Sequence, residues 1–158
     1  MADPYDFAVE VGERGDTTVV AARGVIDEHA DLAPISSLRG DVEINLRGIR
    51  RINSFGVRAW IEALRAIPAS ARVRIVECPP PVVDQLNMVG GFFAHAQLVS
   101  FYAPMTCEEC DEQLEQLFDL ETCRGLGGKL PPTPCPRCSR PMEVDDLEEQ
   151  YLLFMREK

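Results

Sequence analysis

Val42–Leu46, VEINL, runs through RGIRRINS into Phe55–Ile67, FGVRAWIEALRAI, and this stretch decides the fold. Val42, Ile44 and Leu46 alternate with Glu43 and Asn45, whereas Val57, Trp60, Ile61, Leu64 and Ile67 recur at helical spacing. The hydrophobic period therefore changes from two to 3.6, and a strand feeds a helix. Ser54 stands at the join, where its hydroxyl is expected to accept a hydrogen bond from the first free backbone N–H groups and cap the helix, while Gly56 keeps the first turn bare. Such a join gathers unpaired donors and the positive end of the helix dipole, which suits a phosphate or a partner's carboxylate. Arg50, Arg51 and Arg58 flank it. The plainer alternative is that Ser54 only caps and the arginines are solvated surface.

Between that strand and that helix, Asn53-Ser54-Phe55-Gly56-Val57-Arg58 resembles the Asp-Ser-Ser-Gly-Leu-Gly segment of STAS domains, the anti-sigma factor antagonist family. In element order and spacing the resemblance extends over residues 5–103. It implies an α/β fold, a mixed sheet with helices packed on it. It places Ser54 on the serine that the family's partner kinases phosphorylate, and Asn53, Ser54, Phe55, Gly56 and Arg58 on the partner-binding face. The implied partner is an anti-sigma factor or a related serine kinase of the histidine-kinase-like ATPase fold. Asn53 stands where the family has Asp, Phe55 where it has a second Ser and Arg58 where it has its last Gly; these differences bear on kinase recognition more than on the fold.

The flanking segments fit a domain over residues 1–103. Residues 5–11 and 17–25 are β-prone and separated by Gly12-Glu13-Arg14-Gly15-Asp16, so an antiparallel pair is expected, with Gly24 marking a bulge or an end. Leu32, Ile35 and Leu38 predict a short helix from about Asp31, with Pro34 in its first turn and His29 in the loop before it. Val73, Ile75 and Val76 suit a buried parallel strand reached by a right-handed crossover. Pro79, Pro80 and Pro81 then break the chain and open a helix through Val82, Val83, Leu86 and Val89, which Gly90 and Gly91 end. Phe92 and Phe93 are read as core, with an exposed docking pair beside the Ser54 end as the alternative, Cys78 as an inert, partly buried thiol, and Leu98, Val99, Phe101 and Tyr102 as the domain's last strand.

Charge and composition narrow the partners. The net charge of −10 is uneven, because residues 1–103 hold 13 acidic and 10 basic side chains while residues 104–158 hold 13 and 6. Nucleic-acid binding rests on clustered Lys and Arg, so no nucleic-acid partner is expected. No apolar run approaches the ~18 residues of a membrane span, so no membrane insertion is expected. MADPYDF lacks a basic-then-apolar leader, so the cytoplasm is the expected compartment and the six cysteines should stay reduced there.

Residues 104–158 carry the strongest chemical signal, Cys107-Glu108-Glu109-Cys110 followed by Cys135-Pro136-Arg137-Cys138. Two C-x2-C knuckles let four thiolates converge tetrahedrally, the arrangement of structural zinc, with disulfides as the alternative. Four sulfur ligands close the coordination sphere, so the zinc is expected to hold structure rather than catalyse. Cys123 is the spare thiol. The module resembles a zinc ribbon over residues 104–142. Leu114, Leu117, Phe118 and Leu120 fit a helix or a ribbon strand, with strand preferred, and Gly125, Gly127 and Gly128 mark a loop. Asp145 with Glu148 resembles a capping box, and Leu147, Tyr151 and Phe154 predict a short terminal helix packed on the main domain, with Asp146 and Glu149 on its acidic outer face.

The chain has no Gly-rich phosphate loop, no His-Glu-x-x-His run and no Ser-centred elbow, so it is not expected to be an enzyme. A protein-interaction module switched at Ser54 is the leading expectation. A non-switching STAS-like accessory subunit of a lipid-transport complex and a zinc-ribbon adaptor for the transcription machinery are the alternatives.

Overall fold

A computed structural model describes residues 5–145 and 147–156. The chain is mixed α/β, with a five-stranded mixed sheet, a second three-stranded sheet, and helices. Strands β1 (Ala8–Arg14) and β2 (Thr17–Ile26) pair antiparallel around Gly15 and Asp16. The turn is tighter than the expected Gly12–Asp16 because β1 continues to Arg14. Gly24 adopts φ +94, and the β2 register slips beside it, as expected of a bulge.

A short α1 (Ala33–Ser36) leads into β3 (Asp41–Ile52), which runs parallel to β2. Leu32 rather than Asp31 occupies the α1 N-cap; the Asp31 carboxylate accepts from the Ala33 N–H at 3.0 Å. β3 is longer than VEINL, because the edge of β2 holds the backbone extended through Arg47–Ile52 although the alternation has lapsed there. Next come α2 (Ser54–Ala66), β4 (Arg72–Val76), α3 (Pro80–Met88) and β5 (Gln97–Leu98), and the first sheet takes the order β1-β2-β3-β4-β5 with β2 to β5 parallel. Val42, Ile44, Leu46, Val73 and Ile75 form one buried cluster with Ile35, Val57, Trp60, Leu64, Val82 and Val83 from the helices. Phe92 stacks near Trp60, with ring centroids 6.3 Å apart, and both members of the Phe92–Phe93 pair are core.

The expected last strand is divided. Gln97–Leu98 closes the first sheet, whereas β6 (Ser100–Thr106) joins a second, antiparallel sheet with β7 (Gln113–Asp119) and β8 (Glu143–Val144) in the order β7-β6-β8. β6 runs unbroken across residues 103 and 104, so the expected division between two modules falls inside a strand. Backbone bonds between Cys78 and the Ser100–Tyr102 segment tie the sheets together at 3.1 and 2.8 Å. Glu77, at φ +53, accepts from Asn45 Nδ2 at 2.5 Å and from the Tyr102 hydroxyl at 2.7 Å, which staples β3 to β6.

Leu120 does not continue β7 but opens α4 (Leu120–Gly125), whose N-cap Asp119 accepts from the Thr122 N–H at 3.0 Å. The chain ends in α5 (Glu148–Tyr151) and a 3-10 turn (Leu153–Arg156). No capping box forms there. Leu147 is the N-cap, and Asp145 instead accepts from the Thr106 hydroxyl at 2.9 Å, drawn away by β6; Asp146 lies outside the described residues. The terminal segment packs on α3 and β6. Asn87 of α3 donates to the Tyr151 carbonyl and accepts from the Phe154 N–H, at 2.9 and 2.8 Å, and Phe154 meets Phe101 edge-on at 5.2 Å.

Candidate functional site

The first candidate site is the corner where β3 becomes α2. Asn53, not Ser54, caps the helix: its backbone is extended, and its Oδ1 accepts from the Gly56 N–H at 2.8 Å. Ser54 is already the first helical residue, which leaves its exposed hydroxyl uncommitted to the capping role. Both residue types cap well, so the sequence alone could not separate neighbours. Asn53 Nδ2 also donates to Glu28 at 3.2 Å, and Glu28 lies 3.6 Å from the His29 ring nitrogen. An amide can both accept from Gly56 and donate to Glu28, whereas an aspartate at this position would face a like charge. Asn53→Ala is therefore expected to lower stability by about 1 kcal/mol, and Ser54→Ala to stay within about 0.5 kcal/mol of wild type. Urea denaturation of the two variants checks this; the reverse order would return the cap to Ser54.

Gly56 is buried beneath the end of β2, and the Ile26 carbonyl lies against its Cα while accepting from the Asn53 N–H at 3.1 Å. The corner is thus seated on the sheet, and it holds Phe55 out in solvent, 66% exposed. Arg58, Glu62 and Arg65 face outward along α2, as its apolar spacing requires. Arg50 and Arg51 are drawn to the Tyr5 ring, at 5.5 and 6.0 Å from its centroid. Arg51 also lines a groove of about 500 Å3 beside Asn53, whose far wall is the outer face of α3 at Pro81, Asp84, Gln85 and Met88. Met88 is 69% exposed, so two large apolar side chains, Phe55 and Met88, belong to this end of the fold. The sequence reading missed Met88, Asp27, Glu28 and Asp84. The only available signal was that Met88 falls off the Val82-Val83-Leu86 stripe of its helix.

The second candidate site lies at the far end of the second sheet. Cys107, Cys110, Cys135 and Cys138 come together with all four sulfurs within 4.8 Å of one another. The Cys107–Cys138 and Cys110–Cys135 sulfur pairs are 3.4 and 3.5 Å apart, too long for disulfides and close to the ~3.8 Å edge of a tetrahedron with metal–sulfur bonds of ~2.3 Å. These four cysteines can hold a metal ion.

Each knuckle folds as a tight turn, with Asp111 N–H donating to the Cys107 carbonyl at 2.8 Å and Ser139 N–H to that of Cys135 at 2.9 Å. Asp111 and Ser139 take φ +61 and +66, a left-handed step that closes each turn. Burial acts to raise the Cys135 thiol, but backbone N–H groups of Cys138 and Arg137 and the neighbouring sulfurs outweigh it and bring it down to about 7. For Cys110 the N–H of Glu112 acts to lower the thiol, while burial and the other three sulfurs push it up to about 12. Cys135 thus gives up its proton more readily than Cys110. The remaining thiols, Cys78 and Cys123, are buried away from this cluster, and burial raises both, Cys123 to about 11.

Comparison with protein-family models and with curated proteins finds no match to the chain. Among the described residues, no helix is long and apolar enough to cross a membrane.

Proposed function

We propose that the chain is a non-enzymatic regulatory module of the STAS kind that docks a protein partner through the corner around Ser54, with phosphorylation of Ser54 as its switch. The observation that carries this reading is the solvent-facing Ser54–Phe55 corner. Asn53 caps it, Gly56 seats it on the Ile26 carbonyl, and a large aromatic side chain is held in water where burial would be favoured. An exposed Phe fixed by backbone on both sides is the kind of anchor that protein interfaces use. The partner is an anti-sigma factor or a serine kinase of the histidine-kinase-like fold.

A phosphate on Ser54 would bring a charge of about −1.5 to −2 to the first turn of α2, where the helix dipole tolerates it. The fold survives, and the effect falls on the partner, whose surface meets a hydrated dianion instead of a hydroxyl. Glu28 and Asp27 add to that local negative charge. Ser54→Asp and Phe55→Ser are expected to weaken partner capture about tenfold or more, while Ser54→Ala retains it. Quantitative pull-down with the identified regulator measures this, and equal capture by all three variants would remove the corner from the interface.

The metal of the four-cysteine site is zinc in this reading. Thiolate sulfur at these spacings is the donor set zinc takes in closed structural sites, and four sulfurs leave no position for a reacting water. Cys107, Cys110, Cys135 and Cys138 would hold it, and its part is to lock the distal end of the second sheet.

A further inference from the structure

A cleft of about 620 Å3, within the ~300–1,000 Å3 range of small-molecule sites, lies apart from both candidate sites. Arg124 reaches it from the last turn of α4, Lys129 from the loop that follows and Arg156 from the final 3-10 turn. The tail has only six basic residues. Two of them, Arg137 and Arg140, pair with Glu112 and Glu109 beside the knuckles. Three of the other four converge here, and among the described residues none of the three stands in an ion pair. In a chain of net charge −10, with Glu148 and Glu149 on the same cleft, three cations that form no ion pair among the described residues make a place prepared for an incoming anion.

The remaining lining narrows the anion's class. Gly127 and Gly128 take φ +76 and +81 with open space where a Cβ would stand, so a ligand can come close to their backbone. Leu152 and Met155 give an apolar floor, and the Glu148 and Glu149 carboxylates are acceptors for hydroxyl groups. We propose that this convergence of Arg124, Lys129 and Arg156 over an apolar floor, with two carboxylates alongside, binds a phosphorylated small molecule of the nucleoside-monophosphate class. The phosphate lies on the cations, the sugar hydroxyls on the glutamates and the base on Leu152 and Met155.

Titration of the metal-loaded full chain with AMP, inorganic phosphate and adenosine, followed by amide NMR shifts, tests the assignment. AMP is expected to shift Gly127, Gly128 and Leu152 saturably, inorganic phosphate to shift the two glycines more weakly, and adenosine to shift neither glycine. Arg124→Gln and Lys129→Gln are each expected to weaken AMP about tenfold. Lys129 is exposed on a loop, so its variant retains the fold even if the Arg124 variant does not. Absence of a saturable AMP response up to millimolar concentration, shifts confined to other parts of the chain, or unchanged AMP affinity in Lys129→Gln would each overturn the proposal.

Discussion

Gly56→Ala is expected to destabilise the protein by about 4 kcal/mol or more, the range reached only when packing or backbone is forced out of place. A methyl group built on Gly56 would overlap the Ile26 carbonyl oxygen and stand 2.6 Å from its carbon. Neither neighbour is a flexible side-chain end, so the strain cannot be relieved by a rotamer change. The Ile26 carbonyl also accepts from the Asn53 N–H, and Asn53 caps the helix through Gly56 itself. Pushing β2 and α2 apart therefore breaks the cap and unseats Val57 and Trp60 behind it. Alanine's better helix propensity returns only about 1 kcal/mol, so the overlap wins. Gly90→Ala is the control: nothing lies within 4 Å of its Cβ position, and a change within about 0.5 kcal/mol is expected. Equal midpoints for the two variants in urea would mean that the corner is not tightly seated.

Removing the proposed zinc, by chelation or by Cys135→Ser, is expected to have the second-largest effect, and an uneven one. Structural zinc is worth about 10–16 kcal/mol in small modules, whereas the knuckles otherwise rest on a few backbone bonds, such as Cys107 N–H to the Glu112 carbonyl at 2.9 Å and Cys135 N–H to that of Arg140 at 2.8 Å. Amides of residues 107–112 and 133–142 are therefore expected to lose hydrogen-exchange protection by a factor of about a thousand or more. The near end of the second sheet should stay in place. Phe118 and Phe154 both pack there on Phe101, Tyr151 donates to the Tyr102 carbonyl at 2.5 Å, and Asn87 grips the terminal segment. Protection at Ile44 and Ile75 should not change. Loss of protection at those two residues together with the knuckles would mean that the metal supports the whole core, and purified protein with no bound metal would end the zinc assignment.

The parts of the fold that sequence made legible are those where periodicity is clean. Val42-Ile44-Leu46 and Val57-Trp60-Leu64 read directly as a strand and a helix, because each element buries one face. The extension of β3 through Arg47–Ile52 was hidden, since its extended backbone comes from pairing with β2 and not from its own residues. The departure of β6 into a second sheet was hidden for a related reason: Leu98, Val99, Phe101 and Tyr102 look like one strand, and only the partners on either side of Val99 divide it. The four cysteines were legible because ligand spacing is local within each knuckle. The cap was misplaced by one residue, and the Asn87 grip on the terminal segment joins positions more than sixty apart, which no local pattern records.

The Ser54 corner is the proposed docking face, and site-specific photocrosslinking in the native cell tests that role most directly. A crosslinking residue is placed at Phe55 in one variant and at Leu117, exposed on the second sheet, in another. An adduct from position 55 to an anti-sigma factor or serine kinase is expected, absent from position 117 and lost when Ser54→Asp is added. An adduct to that regulator from position 117 alone, or one from position 55 that Ser54→Asp leaves unchanged, would contradict it.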